Sequence, residues 1–156
     1  MADDYMDDYM KEVVDKLKDS KRRSEDARKE HDRTEEIKQK EGIRLWNALL
    51  EWIEKCCALH ELAEALKFKK PNDHQFTVLL DENSNNVTLQ VTFDAGECTI
   101  SYVVNSTRVF RSPAAKTNGR YYPRVVGDKL LFSDGHAGDN VSIREVGKAL
   151  LLLLWE

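Results

Sequence analysis

Cysteine, proline and glycine are scarce in this chain, with three, three and seven residues among 156. Three cysteines, two of them adjacent at Cys56 and Cys57, make no disulfide framework. They imply a reducing compartment, the cytoplasm. A secretory leader is not expected, because the opening MADDYMDDYM is acidic where a leader is basic and then apolar. The glycosylation patterns at Asn86, Asn105 and Asn140 are accordingly read as chance. No apolar run reaches the roughly 20 residues that a helical bilayer span needs.

Motifs that dictate a reaction are missing too. Cys56 and His60 have the i,i+4 spacing that presents two ligands from one helix, but structural zinc takes about four ligands and no partner pair follows. His74, Cys98 and His136 are isolated. The turn Gly135–Gly138 before the last helical segment fits no Walker or Rossmann spacing, and Asp134 and Asp139 would repel a phosphate there. Ser133, Asp134 and His136 include the residue types of a hydrolytic triad, yet neighbouring loop residues cannot supply its geometry. No catalytic residue, metal or cofactor is therefore expected.

What the chain does have is charge and one strongly apolar helical stretch. Charged residues make up 33% of it, with a formal net charge of −4. That balance argues against a dedicated nucleic-acid binder, although local clusters can reverse it. From Gly42 to Phe68, apolar residues recur at Ile43, Leu45, Trp46, Leu49, Leu50, Trp52, Ile53, Cys56, Cys57, Leu59, Leu62, Ala63 and Leu66. Spacings of three, four and seven mark a helix. The apolar sector is wider than one contact with a sheet requires, so a second helix, from this chain or a partner, should cover its other side.

Ahead of that stretch, residues 18–41 hold almost nothing apolar except Ala27 and Ile37, and neither Gly nor Pro interrupts them. Such a segment persists as a solvated helix or stays disordered. An apolar stripe through Tyr5, Met6, Tyr9, Met10, Val13, Val14 and Leu17 precedes it. A heptad frame runs through Met10, Leu17, Ser24 and His31, with Val13, Ser20, Ala27 and Thr34 opposite, and turns small and polar after Leu17. Gly42, costing about 1 kcal/mol relative to Ala in a helix, marks the expected bend. Residues 1–41 thus read as a charged helical arm and residues 42–156 as a compact domain, with Pro71-Asn72-Asp73 ending the helical half.

Strand patterning follows. Phe76, Val78 and Leu80 share one face; Val87, Leu89, Val91 and Phe93 alternate with Thr88, Gln90 and Thr92. Asp94–Glu97 reads as a hairpin turn before Cys98, Ile100, Tyr102 and Val104. A short strand around Arg108–Arg111 is expected, then Tyr121–Val126 and Lys129–Phe132 about the turn Gly127-Asp128, with Pro123 hinting at a sheet edge. Ser142 and Glu145 resemble a capping box opening a leucine-rich last helix. The fold class is α+β: a long N-terminal helix, an antiparallel meander of five or six strands, and a C-terminal helix packed on the same face.

Charge is polarised along the strands. Pro71 to Thr107 holds acids and no base, whereas Arg108, Arg111, Lys116, Arg120, Arg124 and Lys129 follow with a single acid, Asp128. With Tyr121 and Tyr122 interleaved, Arg108, Arg111, Lys116, Arg120 and Arg124 suit an acidic protein partner or, as an alternative, single-stranded nucleic acid or another polyanion. The plain reading is a solvated edge whose bases discourage strand-to-strand aggregation. The expected function is non-enzymatic interaction or assembly, as a homo-oligomer with a dimer favoured. Trp46, Leu49, Trp52, Ile53, Leu153 and Trp155 are the candidate self-association residues. A small enzyme without a visible motif is the remaining class.

Overall fold

A computed structural model of the chain describes residues 2–59, 62–82, 85–106, 117–135 and 139–156. A long helix, α1 (Ala2–Cys57), is followed by six strands, β1 (Leu66–Asn72), β2 (Gln75–Glu82), β3 (Asn85–Asp94), β4 (Thr99–Ser106), β5 (Asn118–Val126) and β6 (Lys129–Ser133). The chain closes with α2 (Ile143–Leu152) and a 3₁₀ turn, Leu153–Trp155. The fold is α+β, and it divides into one unit ending at Glu36 and a second, Ile37–Glu156.

The first unit is helix alone. From Asp7 on, its side chains are exposed apart from partly covered Thr34 and Glu35, and it carries ion pairs between Lys16 and Glu12 (3.9 Å), Arg22 and Asp19 (3.4 Å), and Arg33 and Glu30 (3.8 Å). Exposed pairs of this spacing contribute only about 0.3–0.5 kcal/mol each.

The second unit holds the core. Its sheet is a meander in the order β1-β2-β3-β4-β5-β6, and every neighbouring pair is antiparallel. Phe76, Val78 and Leu80, then Val87, Leu89, Val91 and Phe93, then Ile100, Tyr102 and Val104 turn to the buried side, as the two-residue period requires. The turn after β3 is held by Asp94, whose Oδ1 accepts from the N–H groups of Gly96 (2.9 Å) and Glu97 (3.1 Å). Gly127 has φ 63° at the first position of the two-residue β5–β6 turn, where a type II′ turn demands glycine. Pro123 lies beyond the part of β5 paired with β4, which ends at Tyr121, so its missing N–H costs no bond to β4.

α1 lies on this sheet through Trp46. The indole is 2% exposed, stacks on Phe93 at 5.2 Å between centroids and tilts against Phe76 at 5.5 Å. Its Nε1 donates to the Asp73 carbonyl at 2.7 Å. The second cover of α1 is this chain's own α2: a Cβ on Gly147 would stand 2.7 Å from Trp52 Cζ3 and 3.0 Å from Leu49 Cδ1. Glycine lets the two helices meet at that point. Ser142 caps α2, its Oγ accepting from the Glu145 N–H at 3.3 Å.

Two expectations are corrected. α1 ends at Cys57, not at Pro71, because Leu66–Asn72 pairs with β2 as a strand, with Leu66 opposite Leu80 and Phe68 opposite Val78. Gly42 marks no break in α1, which runs through it; glycine is needed because a Cβ there would lie 2.5 Å from the Cys98 Sγ. The terminal strands of the sheet are β1, where Lys67, Lys69, Lys70 and Pro71 are exposed, and β6, and Pro123 sits in the part of β5 that has no β4 partner, an edge as expected. The strand expected around Arg108–Arg111 lies outside the described residues.

Candidate functional site

The first unit offers a continuous apolar surface. Tyr9, Met10, Val13, Val14 and Leu17 are each 45–62% exposed and recur at helical spacing on one side of α1. Tyr9, Met10, Val13 and Val14 line a groove of about 230 Å³. Single exposed apolar residues are ordinary on a protein surface, whereas a run of five along one side of a helix is not.

The second unit has already used most of its apolar helix surface. Trp46, Leu49, Ile53 and Leu153 are inside its core. Trp52 is half-buried beneath α2, and Trp155 is 42% exposed. Of the six candidate self-association residues, only these last two present surface. Trp52 lines a cleft of about 230 Å³ with Glu51, Lys55, Ile143 and Arg144.

The basic segment is split by the pleat of β5. Arg120, Tyr122 and Arg124 are exposed on the uncovered side of the sheet, whereas Tyr121 turns inward and is 9% exposed. Arg108, Arg111 and Lys116 lie outside the described residues. Register adds two lysines that sequence proximity does not suggest. Lys67 and Lys69 stand opposite Leu79 and Thr77, and these in turn opposite Thr88 and Gln90 on the same side. The alternation Leu66, Lys67, Phe68, Lys69 carries that signal, although it sits at the end of an apolar helical pattern. The middle of this face is uncharged, with Thr92, Gln90, Ser101 and Val103.

On the opposite side, Tyr121, Asp134, Asp139, Asn140 and Glu145 line a cleft of about 380 Å³. Burial, the nearby Tyr102 and the Asp134 carboxylate push the Tyr121 phenol up to about 12. Burial also pushes the Cys57 thiol from 9.0 up to about 11, with Cys56 and Glu54 adding to it. A thiol raised this far is protonated near neutrality and is a poor nucleophile. Both groups favour their neutral form in the folded state. Their stabilisation is complete below the unfolded values and is lost as pH rises, from 9.0 toward about 11 for Cys57 and from 10.0 toward about 12 for Tyr121.

Among the described residues no group of three or more His, Cys, Asp and Glu is arranged to hold a metal ion, and no helix is long and apolar enough to cross a membrane. No disulfide joins Cys56, Cys57 and Cys98. His60 and His136 lie outside the described residues. No protein-family model, curated protein or solved structure matches this chain.

Proposed function

We propose that this chain is a non-enzymatic assembly protein that forms a dimer through the apolar stripe Tyr9–Leu17 of α1. The observation that carries the reading is the contrast between the two units. One seals Trp46, Leu49 and Ile53 within itself, whereas the other has an exposed stripe and no buried side chain among its described residues. Helices in proteins owe most of their stability to packing of an apolar face. The first unit's ion pairs are too weak to replace that, and a second copy of the same stripe supplies it. A reducing, cytoplasmic setting suits three cysteines that form no disulfide.

Sedimentation equilibrium tests the reading. The full chain should sediment as a dimer, and the double substitution Val13→Glu, Leu17→Glu should sediment as a monomer. Tryptophan emission should stay unchanged, because Trp46 lies in the other unit. A monomeric wild type at high concentration would remove the proposal.

A second reading has its own observation. Arg120, Arg124, Lys67 and Lys69 share the uncovered side of the sheet with exposed Tyr122. This suits a polyanion held by phosphate contacts, or an acidic protein surface. If so, Arg120→Glu with Arg124→Glu should weaken binding of a single-stranded oligonucleotide about tenfold or more at low salt and flatten its salt dependence. Unchanged affinity in a filter or anisotropy assay would eliminate this reading.

A further inference from the structure

We infer that the two copies pair through α1 in antiparallel fashion, with Val13 of one copy against Leu17 of the other; this rests on the self-association proposed above. The argument comes from the charges beside the stripe. Asp7 and Asp8 precede it, whereas Lys18, Lys21, Arg22 and Arg23 follow it, and all are exposed. A helical pair brings together the residues that border its apolar seam, and their signs select the orientation.

In the frame where Met10 and Leu17 alternate with Val13 and Ser20 along the seam, a parallel pair sets like against like. Lys16 of one copy faces Lys21 of the other, Arg23 faces Arg28, and Glu30 faces Glu35. Every charged flanking pair is repulsive. A parallel pair in this frame is disfavoured along its whole length.

Reversing one helix changes the signs. With Val13 opposite Leu17, each two-fold related end brings Lys21 against Asp7, and Arg23 over the ring of Tyr9, where a guanidinium is attracted to the aromatic face. Val14 meets Val14 at the symmetry axis. Lys16 meets Lys16 there too, and its own Glu12 at 3.9 Å offsets that repulsion. Sliding the pair by one heptad removes both Lys21–Asp7 pairs: one direction sets Asp7 against Val14, and the other sets Lys21 against Val14 and moves Leu17 from Val13 to the polar Ser20. The same stripe on both copies makes a closed, isologous contact.

Charge reversal on the full-length chain, read by sedimentation equilibrium at low ionic strength, separates the arrangements. In the antiparallel pair Lys21→Asp places like charges at both ends and should raise the dimer dissociation constant about three- to tenfold. Adding Asp7→Lys in the same chain restores opposite signs and should bring the constant back to within about threefold of wild type. Circular dichroism of each variant checks that α1 keeps its helix. In the parallel pair Lys21→Asp instead faces Lys16 and tightens the dimer; tightening, or no change, overturns the antiparallel arrangement while leaving self-association intact. A wild type that never dimerises overturns both.

Discussion

Replacing Trp46 with alanine should lower the unfolding free energy by about 3–5 kcal/mol, the range for truncating a fully packed large aromatic. The indole joins α1 to the sheet in three ways at once. It stacks on Phe93, it tilts against Phe76, and its Nε1–H is satisfied by the Asp73 carbonyl. Alanine leaves a void between the layers that Leu49, Leu50 and Ile53 cannot fill without drawing α1 inward. Phenylalanine keeps much of the stacking and loses the hydrogen bond, so Trp46→Phe should cost roughly 1–2 kcal/mol. Urea denaturation followed by far-ultraviolet circular dichroism measures both. A loss below about 1 kcal/mol for Trp46→Ala would mean that α1 is held to the sheet by something other than this contact.

The second large effect comes from exchanging two side chains across the same interface. Gly42 sits in a helix, where glycine costs about 1 kcal/mol against alanine. Cys98 sits at φ 58°, a left-handed conformation that favours glycine, with its Sγ 3.8 Å from the Lys38 carbonyl oxygen. Each residue is thus the type suited to the other's backbone. Gly42→Ala alone places a Cβ 2.5 Å from the Cys98 Sγ and should destabilise the protein by about 1–2 kcal/mol, despite the better helix propensity. Cys98→Gly alone removes the sulfur and relieves the backbone, and should fall within about 1 kcal/mol of wild type. The double substitution should match or exceed wild-type stability, a coupling of about 2 kcal/mol in a double-mutant cycle. Additive single effects would show that the contact between residues 42 and 98 is not what requires glycine.

Much of this architecture is legible from period and turn chemistry. Val87, Leu89, Val91 and Phe93 alternate without exception, and both they and the turns at Asp94 and Gly127 stand where local rules put them. The end of α1 is not legible, because Leu59, Leu62, Ala63 and Leu66 keep helical spacing past Cys57. Only the long-range pairing of Leu66 with Leu80 and Phe68 with Val78 makes Leu66–Asn72 a strand, and its lysines and proline hide that preference. Gly42 shows the same limit. Local propensity reads it as a break, whereas its reason is a sulfur atom on a turn far along the chain.

For the candidate surfaces, the stripe Tyr9–Leu17 can be read directly, since its helical spacing is local and its residues stay largely exposed. The basic segment can be read only in part. Arg120 and Arg124 fall on one side of β5 with Tyr122, but the pleat sends Tyr121 the other way. Lys67 and Lys69 join that side through a strand whose existence depends on β2.

The meander also orders events on the ribosome. Each strand's neighbour in space is its neighbour in sequence, so the sheet grows hairpin by hairpin and closes short stretches of chain at each step. The clamp of Trp46 on Phe93 joins distant segments and can close only after β3 has been translated. α1 leaves the exit tunnel before any of the strands, so Trp46, Leu49 and Ile53 stay wet while their cover is still being made. Synthesis rate through β2, β3 and β4 therefore sets how long the nascent chain carries that surface uncovered.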